Sequence, residues 1–245
     1  MTFIIVGASA GLGRSLTEKF ALEKNDLILI SSDVRDLIPL KSDLEIRYKI
    51  KIIPIEMSFK KIPLDFTKIN DSLSTLSPLD GILFPIGYSG NEDVPGMDDA
   101  ITIEIFNTNL ISICMMVNHF LVLLKERKST IIGFGSVAAI RGRSRNATYA
   151  AAKRGLESFF ESLRHYMQKS NVTIQFYVLG YLDTNLGFSG QDQLYFRRAD
   201  VKRLSEIIYS NLYKDLGTIV YPKKWKLVKL LLPFVPWQIF KKINF

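Results

Sequence analysis

Residues 2–16, TFIIVGASAGLGRSL, decide the fold. The β-branched run TFIIV (2–6) reads as a buried strand, GASAGLG as a glycine-rich turn, and Leu12, Leu16 and Phe20 as one face of a helix. Gly7, Gly11 and Gly13 give a turn whose backbone can approach a pyrophosphate. A helix starting near Gly11 adds unpaired N–H groups and the positive end of its dipole. A glycine triplet alone is a weak signal. Between a first strand and a first helix it argues for a dinucleotide, with a turn that binds nothing as the bland alternative.

Working outward, the chain keeps alternating. Short apolar runs recur at DLILIS (26–31), KIKIIPIE (49–56), DGILFPI (80–86), STIIGFG (129–135), VTIQFYV (172–178) and GTIVY (217–221). Between them lie helical patterns such as Leu156, Phe159, Phe160 and Leu163. Strands this apolar, alternating with helices, imply a parallel sheet covered on both faces. The predicted fold is therefore α/β, a doubly wound Rossmann-type sheet of about seven strands. Such sheets bind ligands beyond the carboxyl ends of their strands, so the residues after each run are the ones to inspect.

At 245 residues, 47% hydrophobic and 23% charged, the chain is long enough for one α/β domain. No linker, repeat or low-complexity window divides it, so residues 1–222 read as a single domain with 223–245 as its tail. Cys114, the lone cysteine, excludes an intrachain disulfide and a thiolate metal cluster, and its apolar setting reads as an inert buried thiol. The N-terminus lacks the basic region of a signal peptide, and no run reaches the roughly 18 uninterrupted apolar residues of a spanning helix. A reducing cytoplasm fits best. His119 and His165 lie in helical patterns without ligand spacing, so both read as structural and no metal is expected.

YAAAK (149–153) puts a phenol and an ammonium one helical turn apart. Alone it reads most simply as two solvated side chains. With the rest of the chain it resembles the YxxxK motif of the short-chain dehydrogenase/reductase family. The spacing of Gly7, Gly11 and Gly13 resembles that family's TGxxxGxG loop. Ser136, ending IIGFGS, is similar to its catalytic serine, Asn109 in FNTNL to its active-site asparagine, and Gly180 with Thr184 in LGYLDT to its PGxxxT segment. The matches run in family order over residues 1 to about 221.

The resemblance implies hydride transfer between a nicotinamide and a ketone or secondary alcohol, with Asn109, Ser136, Tyr149 and Lys153 as catalytic residues. Lys153 would lower the Tyr149 pKa and hold the nicotinamide ribose; Asn109 would keep a water linking Lys153 to solvent. Ser136 would donate to the substrate oxygen. The implied cofactor site is Gly7, Ser9, Gly11, Leu12, Gly13, Ser32, Arg35, Glu56, Met57, Gly87, Tyr149, Lys153, Gly180, Leu182 and Thr184. The family also implies a homo-dimer or homo-tetramer.

Departures mark a divergent member. FPIG (84–87) keeps only Gly87 of the family's NNAG, so that loop must be supported some other way; Val6 replaces a threonine and Leu179 a proline. A catalytically retired cofactor-sensing or assembly protein on the same fold is the alternative, and the intact Asn109, Ser136, Tyr149 and Lys153 argue against it. After the second strand, Ser31 and Ser32 stand where NAD users place an aspartate and NADP users an arginine. With no carboxylate at Ser31 and Arg35 nearby, NADP(H) is slightly favoured over NAD(H).

Substrate contacts are expected from the loop holding Arg141, Arg143 and Arg145, and from the aromatic, basic loop after Thr184. Arginines near a cleft suit a phosphate or carboxylate, although solvated arginines are more common. Residues 223–245 hold six lysines and no acid, so most of the chain's net charge of +8 lies there. That argues against nucleic-acid binding, which needs a basic face rather than one aromatic tail. Lysines beside Trp225, Phe234, Trp237 and Phe240 suit a bilayer interface at the cytoplasmic membrane face. The competing reading is a terminal helix packed on its own domain. The tail also looks similar to those of family members that reduce keto-sugars carried on polyprenyl phosphate, which implies a lipid-linked substrate.

Overall fold

The computed structural model describes residues 1–90, 93–183 and 198–242. Seven strands, β1 (Thr2–Val6), β2 (Asp26–Ser31), β3 (Ile52–Glu56), β4 (Leu79–Phe84), β5 (Ser129–Ser136), β6 (Val172–Leu179) and β7 (Thr218–Tyr221), pair in the order β3-β2-β1-β4-β5-β6-β7. Every pairing is parallel. The strand order reverses between β1 and β4, where this architecture opens a crevice at the carboxyl ends.

Both sheet faces are buried, which explains the near-continuous apolar strands. In β1, Phe3 and Ile5 join the core formed with helices α1 (Gly11–Leu22), α2 (Leu37–Tyr48) and α7 (Val201–Ser210). Ile4 and Val6 join the opposite core, with α3 (Thr67–Ser74), α5 (Ser112–Lys125) and α6 (Ala147–Tyr166). One helix pattern thus covers each face of one strand.

Helix α4 (Asp99–Phe106) runs through a π-helical turn, Asn107–Ile111, into α5. The helical run Asp99–Lys125 is long and apolar enough to cross a membrane by length and composition. It is nonetheless a sheet-packing helix, with Ile113, Met116, Val117, Phe120 and Leu124 in the core. His119 stacks on Phe66 at 4.3 Å and bonds Asn70 at 3.1 Å. Cys114 is only half-buried, yet burial pushes its thiol up to about 11, away from nucleophilic character.

The last residues form α8 (Trp225–Leu231), a 3₁₀ turn (Leu232–Phe234) and α9 (Trp237–Phe240). Trp225 and Phe240 are buried. Trp225 packs against Gly180 and at 5.8 Å from the Tyr181 ring, and Arg141 reaches Leu232 O at 2.9 Å and Val235 O at 2.5 Å while lying over the Phe240 ring. The tail therefore packs on its own domain along one side.

Candidate active site

The turn after β1 is built for close backbone approach. Gly7 has φ +88°, and a Cβ there would come within 2.8 Å of Ile86 Cα in the loop after β4. A Cβ on Gly13 would run into the Gly7 carbonyl, so this glycine lets α1 lie on the turn. Helix α1 starts after Ala10, which has no capping side chain, and its first turn holds no acid. Its N-terminal N–H groups are thus left for an anion.

Beside this turn lies a cleft of about 580 Å³ that runs to the ends of β5 and β6. Lys153, buried on α6, donates to Ile86 O at 3.2 Å and Phe134 O at 3.1 Å. Its ammonium lies 5.8 Å from the Tyr149 ring centre. Burial lowers the Lys153 pKa to about 7. Tyr149 is half-buried; burial raises its pKa and a hydrogen bond from Ser136 pulls it back. For the chain alone the direction is set by burial of the phenolate rather than by Lys153. The desolvated lysine loses part of its own charge, and the phenolate is itself disfavoured by burial. Ser136 Oγ accepts the Ala138 N–H at 3.2 Å, which leaves its O–H to donate into the cleft.

Gly7, Ser9, Gly11, Leu12, Ser32, Gly87, Ser136, Tyr149, Lys153, Gly180 and Leu182 all line this cleft. Asn109 does not. Fully buried in the π turn, it donates to Tyr88 O at 2.6 Å and Ile105 O at 2.8 Å and accepts from Tyr88 N at 3.1 Å. Its carboxamide holds the loop after β4, which answers how FPIG stands without the family's asparagines. Arg35 is also outside: its guanidinium closes on Asp33 at 2.8 Å, and that contact holds the Asp33 carboxyl down at about 2. Glu56 and Met57 line a separate depression of about 240 Å³ after β3. Thr184 and the loop up to position 197 lie outside the described residues.

The structure adds residues the sequence did not single out. Lys60 and Tyr88 line the cleft, with Lys60 bonded to Glu104 at 2.7 Å and 4.4 Å from the Tyr88 ring. Arg198 lines it too, and of the three loop arginines only Arg143 does; Arg141 holds the tail and Arg145 is exposed. Asp93, 4% exposed, accepts from Thr148 N at 2.9 Å and Tyr149 N at 2.7 Å. It caps α6 from a distant loop, a pairing with no local sequence signature.

A nicotinamide dinucleotide fits these residues. Besides the uncapped α1 terminus, Thr108 on the cleft wall has a buried hydroxyl with no hydrogen-bond partner among the described residues. Fold and site together define a Rossmann-type oxidoreductase that moves hydride to or from a nicotinamide.

Residues 1–193 match the model of the short chain dehydrogenase family, and the chain belongs to that family. It is an NAD(P)-dependent dehydrogenase/reductase. An uncharacterized oxidoreductase of Mycobacterium tuberculosis is 27% identical over 192 residues, covering 75% of this chain and 74% of the relative. The 3-oxoacyl-(acyl-carrier-protein) reductase FabG of Escherichia coli is 25% identical over 190 residues, covering 75% and 74%. Among solved structures, a short-chain dehydrogenase from Sphingobium yanoikuyae in complex with NADPH superposes with a TM-score of 0.80 at 17% identity, covering 99% of this chain and 96% of that one. An alcohol dehydrogenase from Thermococcus sibiricus, complexed with 5-hydroxy-NADP, gives 0.78 at 17% identity, covering 89% and 94%.

Proposed function

We propose that this chain is an NADP(H)-dependent reductase of a ketone, working through Ser136, Tyr149 and Lys153, with Asn109 as a positioning residue. The observation that carries the reading is that Ser136, Tyr149 and Lys153 line one cleft, with the buried Lys153 ammonium 5.8 Å from the Tyr149 ring centre. A phenol kept protonated at neutral pH is in the right state to give a proton to a carbonyl oxygen. Ser136 donates a second hydrogen bond to that oxygen as negative charge develops. When bound, the nicotinamide supplies the hydride. Lys153, fixed by Ile86 O and Phe134 O, keeps a third N–H for the ribose side of the cleft.

The lean to NADP(H) rests on charge. The described lining residues include Lys60, Arg143, Lys153 and Arg198 and no carboxylate, and Ser31 and Ser32 stand at the end of β2. Nothing there opposes a 2′-phosphate, and the Ser31–Ser9 hydroxyl pair, at 3.1 Å, lies beside the turn. Arg143 and Arg198 also suit a phosphate-bearing substrate. With the apolar tail described below they support a lipid-linked ketone, such as a keto-sugar on a lipid phosphate.

The test is a ketone and alcohol panel run with each cofactor, together with Tyr149→Phe. Turnover should fall by about 10²- to 10⁴-fold, with NADPH affinity by calorimetry nearly unchanged. A Tyr149→Phe enzyme that keeps most of its activity would sink the mechanism, and tighter binding of NADH than NADPH would reverse the cofactor choice.

A further inference from the structure

Among the described residues, 17 large hydrophobic side chains are exposed, and six of them, Leu227, Leu230, Leu231, Phe234, Trp237 and Ile239, fall between positions 227 and 239. Single exposed apolar residues are ordinary on a protein surface; a contiguous set is not. Helix α8 is amphipathic in an unusual sense. Trp225 and Val228 turn inward and Lys229 pairs with Glu157, while Leu227, Leu230 and Leu231 face water. Phe234 is 80% and Trp237 62% exposed. The domain uses one side of this segment and leaves a second apolar side uncovered.

We infer that residues 223–242 are a docking surface for an anionic lipid bilayer. Lys223, Lys226, Lys241 and Lys242 are exposed around the apolar side chains, and no acidic residue follows Asp215. A second copy of the chain would bring lysines against lysines, whereas anionic headgroups complement them. The pieces are too short to span. Seven residues in α8 and four in α9 extend well under half of the roughly 30 Å hydrocarbon core, at about 1.5 Å per residue. They lie in the interface, with Trp237, Phe234 and the leucines entering the acyl boundary.

The same segment is fastened to the cleft walls. Trp225 rests on Gly180 and Tyr181, which line the cleft, and Arg141 grips the tail two residues before cleft-lining Arg143. Docking thereby brings the substrate side of the cleft to the bilayer. The docking surface is defined independently of the catalytic reading, so either can fail alone.

The experiment is cosedimentation of the full chain with phosphatidylcholine vesicles, with and without phosphatidylglycerol, at low and high salt. The chain should sediment with the anionic vesicles at low salt and be released by salt. Leu231→Glu with Trp237→Glu should weaken binding by about tenfold or more. Replacing Lys223, Lys226, Lys241 and Lys242 by Gln should cost about fivefold per lysine. NADPH affinity and the unfolding midpoint should stay at wild-type values in both variants, which shows they are folded. Failure of the wild-type chain to bind anionic vesicles, or wild-type binding by the Leu231→Glu, Trp237→Glu variant, overturns the inference. So does a dimer, seen by sedimentation velocity, that this variant dissolves while vesicles have no effect.

Discussion

On α6, Lys153 is 3% exposed and bonds two backbone carbonyls, with no carboxylate among the described residues lining its cleft. Its folded pKa of about 7 lies below the ordinary 10.5. Below pH 7 both native and unfolded chains carry the proton, and folding bears the full cost of burying it. Between about 7 and 10.5 the native chain sheds a proton the unfolded chain keeps, so this group makes stability rise with pH. From pH 7 to 9 that rise should be on the order of 1–3 kcal/mol, and Lys153→Met should lack it. Denaturant midpoints of both proteins across that window measure the difference. Parallel curves would show that the buried lysine keeps its proton throughout that window, as the unfolded chain does. The motif made Lys153 legible as a site residue. Its altered charge was not, because desolvation depends on Ile86 and Phe134, 67 and 19 residues away.

Helix α6 carries Tyr149 in its first turn, yet its own start is poorly capped: Asn146 adopts φ 57° and makes no side-chain cap. Asp93 takes over, bonding the Thr148 and Tyr149 N–H groups and, through its carbonyl, Asn146 N at 2.8 Å. Asp93→Ala should destabilise the fold by about 1–2 kcal/mol and lower kcat, as Tyr149 loses its fixed height in the cleft. NADPH affinity should hardly move, because Lys153 has its own anchors. Asp93→Asn should fall between. A stability loss with unchanged kcat would reduce Asp93 to a cap and remove it as a positioning residue for Tyr149. Other element features were plainer in the sequence. The first two strands were read at their observed limits because both are buried apolar runs bounded by turn residues. The third starts at Ile52 rather than 49, since Lys49 caps α2 in the left-handed region. The fourth stops at Phe84, before Pro85, which has no N–H for the ladder. The π turn that buries Asn109 has no such marker. Its three bonds, reaching from Ile105 to Tyr88, exist only once the loop after β4 is in place.

At the scale of the molecule, the tail makes two uses of one composition. Trp225 and Trp237 have similar basic and apolar neighbours, so the sequence distinguishes neither; packing does. Trp225 is 8% exposed against Gly180, whose missing side chain makes room for the indole, and Trp237 is 62% exposed. Trp225→Ala should therefore open a cavity and destabilise the domain by about 3–5 kcal/mol. Trp237→Ala should stay within about 0.5 kcal/mol of wild type. Because Gly180 and Tyr181 line the cleft, the first change should also raise KM for a water-soluble ketone, and the second should leave KM alone. Removing residues 223–245 should resemble Trp225→Ala in the unfolding midpoint. The measurements are guanidinium unfolding and steady-state kinetics on the three variants beside wild type. Equal and small destabilisation by the two tryptophan changes would mean that the tail is not part of the packed domain, and that its two sides are interchangeable.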